Sequence, residues 1–188
     1  PIKLFAKWYK DAKNKEINDP NAMNLSTVSE NNKPSSRIVL LKSYSDQGFI
    51  FYTNTLSKKG KSLSKNKFVS LNFYWKTLKK QIRIEGKTVK VNNKTADKYF
   101  YSRPIESQIG AWASIQSKNL KNRLELKNRF NDYEIKFKNK KVTRPPHWSG
   151  YIVVPNLIEF WQEMPHRLHD RVEFKKIKST WKAKNLFP

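Results

Sequence analysis

Hydrophobic side chains near the start of the chain recur every three or four positions. Four of them share one face of an amphipathic helix that the pattern predicts over residues 2–15: Phe5, Trp8, Tyr9 and Ala12. The pair Asp19-Pro20 is typical of a chain break, so the N-terminal helical segment is expected within residues 1–18.

Short apolar runs separated by polar turns follow this helix and predict three strands: Met23–Ser29, Arg37–Lys42 and Phe49–Thr53. The intervening turn sequences, Glu30–Pro34 and Ser45–Gly48, are short, so an antiparallel meander is expected. The centre of the second strand is apolar without interruption, which predicts burial on both of its faces.

Two more strands are predicted in the middle of the chain: Phe68–Trp75 and Gln81–Val91. Gly86 indicates a bulge or bend in the second of them. Side chains alternate along a strand, so Ile82 and Ile84 are expected on one face. The opposite face then carries polar residues: Gln81, Arg83 and Glu85.

Helical patterns reappear over Asn93–Ser102 and Leu120–Phe137. The second helix is expected to pack through a stripe formed by Leu120, Leu124, Phe130 and Tyr133. Between the helices, a connection rich in polar residues and Trp is expected at Gln108–Ala113 and Ile115–Ser117.

Three strands are expected to complete the sheet near the C-terminus: Trp148–Val154, Leu157–Gln162 and Arg171–Ile177. The order of elements predicts an α+β fold, mainly antiparallel β, with a barrel-like sheet and flanking helices. Neither an internal repeat nor a linker divides the sequence. We therefore expect one domain over 1–188, in which residues 145–188 supply the last strands.

The formal charge of +24 raises the possibility of nucleic-acid binding, because basic surfaces attract phosphate backbones. However, 31 of the 39 basic residues are lysines scattered along the chain, and no recognition motif for nucleic acid is present. We expect no nucleic-acid partner. A basic barrel that binds RNA or DNA is the non-enzyme alternative, which salt-sensitive oligonucleotide binding would support.

The chain has no Cys, which excludes disulfides and thiolate metal sites and fits a cytoplasmic protein. No apolar run reaches membrane-spanning length and no segment resembles a signal peptide, so no membrane partner is expected. The absent initiator Met suggests a trimmed N-terminus. His147, His166 and His169 lack a Cys or carboxylate set beside them, so no metal site is expected.

Candidate chemistry is densest in Leu157–Arg171, where a strand stops at Pro165 and two His and two Arg follow within six residues: His166, Arg167, His169 and Arg171. One interpretation is a surface turn in which Asp170 pairs with an arginine. The other is a site that binds anions and moves protons, since Arg offers a fork for phosphate and His titrates near neutral pH.

Two other stretches suit phosphate. Ser57 is a plausible N-cap for a short helix that reaches about Lys65, and Lys58 and Lys59 would add charge to its free N–H groups. A solvated lysine cluster is the alternative interpretation. Tyr99 and Arg103 are four residues apart and share a helix face, and Ser107 continues in that direction.

Several motifs occur together and in order along nearly the whole chain: RIVLLK (37–42), FYTN (51–54), YFYSRP (99–104), SQIGAW (107–112), Gln116-Ser117, IEFWQ (158–162) and HRLHDR (166–171). In this combination the chain resembles the pyridoxine (pyridoxamine) 5′-phosphate oxidase family of flavoenzymes. The resemblance implies an FMN-binding split barrel and a homodimer with FMN in the subunit interface. It also implies oxidation of pyridoxamine or pyridoxine 5′-phosphate to pyridoxal 5′-phosphate by O2, with release of H2O2 and, from the amine, NH3.

The resemblance further implies residue roles. FMN would be bound by Arg37, Ile38, Val39, Leu40, Tyr52, Thr53, Lys58, Lys59, Gln81, Gln116, Ser117, Trp161 and Arg171. The substrate would be bound by Lys42, Tyr99, Arg103, Ser107, Arg167 and His169, of which Arg167 and His169 would be catalytic.

The sequence departs from the family pattern at a few positions. Lys58 stands where many relatives have Arg, which keeps the charge but loses the bidentate fork. Glu163-Met164-Pro165 and Ser149 replace positions where glycines are common. A related split-barrel protein that acts as a flavin or heme-linked reductase, or only binds FMN, is the nearest alternative. The expected substrate-phosphate residues argue against it.

Overall fold

The computed structural model describes residues 1–188 and contains five α-helices and nine β-strands. The helices are α1 (Ile2–Lys15), α2 (Lys58–Lys65), α3 (Asn93–Tyr101), α4 (Ile105–Ala113) and α5 (Arg123–Phe137). The strands are β1 (Ala22–Val28), β2 (Pro34–Leu40), β3 (Ser43–Ser45), β4 (Gly48–Asn54), β5 (Phe68–Trp75), β6 (Lys80–Lys90), β7 (Trp148–Gln162), β8 (Asp170–Ile177) and β9 (Thr180–Asn185).

All nine strands form one antiparallel sheet with the order β2-β1-β5-β6-β7-β4-β3, from which β8 and β9 continue beside β7. The 15-residue strand β7 organises this sheet. Its first half pairs with β4 and its second half with β8, while β6 pairs along both halves. One strand thus carries two different neighbours at its two ends.

A bulge bends the centre of the sheet between β6 and β7. The register shifts between Glu85 and Gly86, and a Cβ at Gly86 would lie 2.3 Å from the carbonyl oxygen of Val154. Gly86 is needed for this close backbone approach, which confirms the bulge predicted from its position. The curled sheet lets the chain after β2 reach β4, where the Lys42 N–H donates to the carbonyl of Ile50 at 2.8 Å.

The main core lies inside the curled sheet and is closed by α1. Phe5 of α1 is fully buried and contacts three rings edge-on, with centroids 4.8–5.4 Å away: Tyr44, Phe49 and Phe73. A smaller cluster beside it joins α3 and α4 to the first residue of β7: Phe100, Ile109, Val142 and Trp148. This second cluster supports the wall of the site described below.

Two predictions about the early strands are wrong. β2 is an edge strand with alternating exposure, and 64% of Ile38 is accessible, so it is not buried on both faces. The early strands also do not form a simple meander, because β4 pairs with β3 and β7 rather than with β2. Strand partners depend on contacts far apart in sequence, which the local pattern does not contain.

Further corrections concern the second half of the chain. Gln108–Ala113 belongs to helix α4, whereas a connection was expected there. Helix α5 begins at Arg123 and buries no residue completely, and Leu120 and Leu124 of the expected stripe are exposed. The strands expected at 148–154 and 157–162 are both parts of β7, and β9 was not expected. None of the five helices has the length and apolar composition required to cross a bilayer.

Candidate active site

A cavity of about 830 Å³ opens between β2, the end of β4 and the start of α4, within the size range of small-molecule sites. We call it the cationic cavity, because four basic side chains line it without a single carboxylate: Arg37, Lys42, Lys59 and Arg103. The remaining lining residues are Ile38, Val39, Leu40, Tyr52, Thr53, Asn54, Tyr99, Pro104, Ser107, Gly110, Ala111, Ser114, Gln116 and Trp148.

Arg37 and Lys59 form the first pair of cations in this cavity. Neutral oxygens hold Arg37, whose Nη1 donates to the carbonyl of Leu25 at 3.0 Å and to Thr27 Oγ1 at 2.8 Å. Lys59 Nζ donates to Gln116 Oε1 at 3.1 Å. Burial lowers the pKa of Arg37, and burial together with the charge of Arg37 lowers the pKa of Lys59. An anion bound beside Arg37 and Lys59 would stabilise the charged forms of both side chains.

Local sequence explains how Lys59 reaches the cavity. Ser57 caps helix α2 by accepting a hydrogen bond from the Gly60 N–H at 3.2 Å, as predicted. Gly60 leaves no room for a side chain, since a Cβ there would lie 2.3 Å from the carbonyl oxygen of Thr55. The cap therefore fixes the first turn of α2, which carries Lys59, directly after the end of β4.

Lys42 and Arg103 form the second pair of cations. Pro104 ends one helix and precedes the next, so Arg103 lies at the corner between α3 and α4 with Ser107 one turn along. The guanidinium stacks over the ring of Trp148 at 5.0 Å, and burial lowers the pKa of Arg103. Its Nη1 is buried without a hydrogen-bond partner, which is costly unless a ligand supplies the acceptor.

Three stacked rings support this second pair. Tyr52 stacks against Tyr99 at 4.1 Å and against Trp148 at 5.1 Å, and the rings of Tyr99 and Trp148 lie 6.1 Å from each other. Gly150 makes room for Tyr52, because a Cβ at this position would lie 2.6 Å from the tyrosine ring. Burial, with a smaller contribution from Tyr99, raises the pKa of the Tyr52 hydroxyl. The hydroxyl therefore stays protonated near neutral pH.

A second group of predicted site residues lies on another part of the sheet. Gln81, Trp161 and Arg171 are directly paired across β6, β7 and β8, so their side chains share one face; we call them the Gln81–Arg171 row. His169 packs its ring 4.6 Å from that of Trp161. Arg167 lies in the adjoining turn, where it and His166 have positive φ values.

The two groups are far apart within one copy of the chain. Trp148 of the cavity and Trp161 of the row occupy the two ends of β7, and at about 3.3 Å per residue the strand between them is up to roughly 40 Å long. Seven predicted residues accordingly do not line the cavity: Lys58, Gln81, Ser117, Trp161, Arg167, His169 and Arg171. Lys58 and Ser117 are chain neighbours of lining residues, whereas the other five belong to the distant end.

Sequence reasoning also missed several residues that line the cavity: Asn54, Pro104, Gly110, Ala111, Ser114 and Trp148. Most of them belong to the motifs FYTN, YFYSRP and SQIGAW, so their positions could have been included. Gly110 faces open space, since a Cβ there would meet no atom within 4 Å. Trp148 has no such local signal, because only strand pairing brings it beside Tyr52.

The residues present fit a phosphate-bearing cofactor and a phosphate-bearing substrate. Four uncompensated cations, a buried unpaired guanidinium nitrogen and hydroxyl groups are the donors that phosphate oxygens require. A metal site has no comparable support, because no three His, Cys, Asp or Glu side chains come together in a group able to hold an ion.

Two family descriptions match most of the chain. Residues 9–136 match the family described as pyridoxamine 5′-phosphate oxidase. Residues 148–188 match a region described as the pyridoxine 5′-phosphate oxidase C-terminal dimerisation region. The second match contains all of β7, β8 and β9, and with them Trp161 and Arg171.

Curated relatives are similar over the whole chain. A pyridoxine/pyridoxamine 5′-phosphate oxidase from Caulobacter vibrioides is 50% identical over 188 residues, covering 100% of this chain and 85% of the relative. A second such oxidase, from Actinobacillus succinogenes, is 50% identical over 190 residues, covering 100% of this chain and 89% of the relative. One from Pelagibacter ubique is 48% identical over 190 residues, covering 100% and 91%.

Solved structures confirm the split-barrel fold. PhzG from Burkholderia lata, in complex with tetrahydrophenazine-1-carboxylic acid, superposes with a TM-score of 0.95 at 30% identity, over 100% of this chain and 92% of that one. A pyridoxamine 5′-phosphate oxidase-related, FMN-binding protein from Nostoc punctiforme gives 0.79 at 12% identity, over 99% and 96%, a likeness that shows the fold alone. The full-length matches establish that this chain belongs to the pyridoxine/pyridoxamine 5′-phosphate oxidase family of enzymes.

Proposed function

We propose that the protein is an FMN-dependent oxidase that converts pyridoxamine or pyridoxine 5′-phosphate to pyridoxal 5′-phosphate. The alcohol and O2 would give the aldehyde and H2O2, and the amine, O2 and water would give the aldehyde, NH3 and H2O2. The observation that carries the proposal is the presence of two pairs of uncompensated cations in one cavity. Such an arrangement suits two phosphate esters bound side by side.

In this proposal Arg37 and Lys59 bind the phosphate of FMN. Arg37 presents a planar fork, while Lys59 adds a charge whose lowered pKa an anion would raise again. Tyr52, Thr53, Lys58, Gln116 and Ser117 are assigned to the same cofactor, together with the strand residues Ile38, Val39 and Leu40. The exposed apolar face of β2 suits the flat surface of a flavin, since its Ile38 and Leu40 are accessible.

Lys42, Tyr99, Arg103 and Ser107 are assigned to the phosphate of the substrate. Lys42 Nζ lies 5.9 Å from the centroid of the Tyr99 ring, and the unpaired Nη1 of Arg103 is the donor that most lacks an acceptor. A charge-assisted hydrogen bond contributes about 1.5–3 kcal/mol. Phosphate binding by this set would fix the position of the reactive carbon.

The distant residues are assigned to the cavity of a second copy. In a C2 homodimer each copy offers the same surfaces, so the row of one subunit can face the cavity of the other. Gln81, Trp161 and Arg171 would then bind FMN across the interface, and Arg167 and His169 would face the substrate. We expect the whole of 1–188 to act as one domain, in which residues 145–188 complete the partner's site.

FMN, when bound, would supply the redox chemistry that links oxidation at C4′ of the substrate to reduction of O2. The side chains would supply position and charge. Arg167 would orient the pyridine ring and stabilise negative charge on it. His169, held against Trp161, would assist proton movement, since the two ring nitrogens of an imidazole can donate and accept a proton.

Spectroscopy and an activity assay test this proposal. The purified protein should show a flavin absorption spectrum, or acquire it with added FMN, and should produce H2O2 and the aldehyde from pyridoxamine 5′-phosphate in air. Two comparison substrates are pyridoxamine without phosphate and tetrahydrophenazine-1-carboxylic acid, with which the Burkholderia lata relative was crystallised. A preparation that cannot take up FMN, or that prefers a substrate without phosphate, would contradict the proposal.

A further inference from the structure

We propose that Glu159 is a positioning residue, whose carboxylate orients the guanidinium of Arg171 toward the FMN bound by the partner subunit. The inference deepens the proposed function and rests on it, because it requires Arg171 to contact the flavin cofactor. Glu159 would not touch the cofactor itself.

Glu159 is buried in the centre of the sheet and divides its two oxygens between two arginines. Only 3% of the residue is accessible. Its Oε1 accepts from Nε of Arg171 at 2.8 Å, and its Oε2 accepts from Nη1 of Arg83 at 2.9 Å. The hydrogen bond from Arg171 to Glu159 also raises the pKa of that guanidinium. Both oxygens are therefore occupied, and the carboxylate has no freedom to turn.

The C-terminal tail holds Arg171 from a second direction. Nη1 of Arg171 donates to the carbonyl of Phe187 at 3.0 Å, and the Leu186 N–H donates to the carbonyl of Arg171 at 3.0 Å. These contacts use Nε and Nη1 and leave Nη2 free to donate. A guanidinium held at one edge in this way presents a fixed set of donors to a ligand.

The alternative, that Glu159 only stabilises the sheet, conflicts with the cost of burying a carboxylate. Removing a carboxylate from water is costly, and an apolar residue at such a position is often as stable or more so. Glu173 provides a comparison, since it is directly paired with Glu159 and lies two residues from Arg171 on β8. Glu173 pairs instead with Lys184 at 3.0 Å. Arg171 thus forms its ion pair with the buried Glu159 on the neighbouring strand rather than with Glu173, which is closer in sequence.

The substitution Glu159→Gln tests the orientation. An amide offers one oxygen where the carboxylate offered two, so its NH2 group must face either Arg83 or Arg171. We expect the dissociation constant for FMN to rise about tenfold, the size expected from one misplaced charge-assisted hydrogen bond. The matched control Glu173→Gln removes a charge from the residue paired with Glu159 and should change the dissociation constant for FMN by less than about twofold. FMN binding is measured by quenching of its fluorescence on dimeric protein.

A double-mutant cycle separates positioning from general destabilisation. If Glu159 acts through Arg171, then Glu159→Gln should not weaken FMN binding further in an Arg171→Gln background. An equal loss in both backgrounds would overturn the inference and leave a structural role. Unchanged binding in Glu159→Gln alone, with weakened binding in Arg171→Gln, would also overturn it. If Arg171→Gln itself bound FMN normally, the assignment of Arg171 under the proposed function would fail as well.

Discussion

The cationic cavity and the Gln81–Arg171 row both contain arginines, but their surroundings are opposite. In the cavity, neutral oxygens hold Arg37, and Arg103 keeps a buried nitrogen without a partner. In the row, Arg171 is paired with the buried carboxylate of Glu159. Burial lowers the pKa of Arg37 and Arg103, whereas the bond to Glu159 raises the pKa of Arg171.

The difference indicates that the cavity arginines attract an anionic ligand, whereas Arg171 orients a ligand. Uncompensated cations in a cavity attract an anion strongly, because the protein has left their charge for the ligand to neutralise. An arginine that is already paired with a carboxylate attracts an anion less strongly. Its orientation is fixed before the ligand binds, so it can hold the ligand in a defined position. We therefore expect substitutions in the cavity to reduce ligand binding more than substitutions in the row.

The largest effect is expected from Arg103→Ala. Removing the partly buried guanidinium should lower kcat/KM for pyridoxamine 5′-phosphate by about 100-fold or more, since a bidentate arginine makes two charge-assisted bonds. The ratio of activities on phosphorylated and unphosphorylated pyridoxamine, measured by peroxide release, isolates the phosphate contact. Arg123→Ala on the exposed helix α5 removes the same charge and is the control. Equal losses on both substrates would mean that Arg103 does not bind phosphate.

Arg37 and Arg167 should separate cofactor retention from turnover. Arg37→Ala should weaken FMN binding by about 30- to 100-fold, because a forked phosphate contact is lost. Arg167→Ala should keep FMN and lower kcat instead. Flavin content after dialysis and the rate at saturating FMN measure the two effects. If each of the two variants retained both FMN and turnover, the assignments would be wrong.

Mixed dimers test whether the two regions come from different copies. Arg103→Ala alters the cavity of its own subunit, and Arg171→Gln alters the row that would face the cavity of the other subunit. A dimer of one Arg103→Ala subunit and one Arg171→Gln subunit should therefore retain one intact site. Such heterodimers, purified with two different affinity tags, should show about half of the native activity per dimer. If both regions served the same copy, each subunit would carry one defect and activity would stay at the level of the single variants.

The last prediction concerns the pH dependence that Lys59 gives to FMN binding. Burial and the charge of Arg37 lower the pKa of Lys59, so the free protein loses this positive charge at a lower pH than an ordinary lysine would. FMN phosphate favours the charged form, and FMN affinity should therefore fall severalfold as pH rises through that lowered pKa. Fluorescence titration from neutral to alkaline pH measures the decrease. In Lys59→Gln affinity should be weaker throughout, and this part of the pH dependence should be absent.

The local pattern of the sequence predicted the elements that depend on neighbouring residues. Helix α1, the Ser57 cap, the two strands before α3 and the Gly86 bulge are all present. The same pattern predicts burial on both faces of β2, which is wrong because β2 is an edge strand with alternating exposure. Whether a strand lies at the edge of a sheet depends on its pairing with other strands. The local sequence around Ile38 does not show that β2 has no strand on its second side.

The sequence by itself also determined which side chains are available for chemistry, because the ordered motifs indicate the family to which the chain belongs. Only the tertiary structure decided how they are grouped. It placed Trp148 and Trp161 at opposite ends of β7 and buried Glu159 between Arg83 and Arg171. The reason is physical: periodicity and capping report on residues a few positions apart, whereas strand pairing and curvature join residues that are remote along the chain.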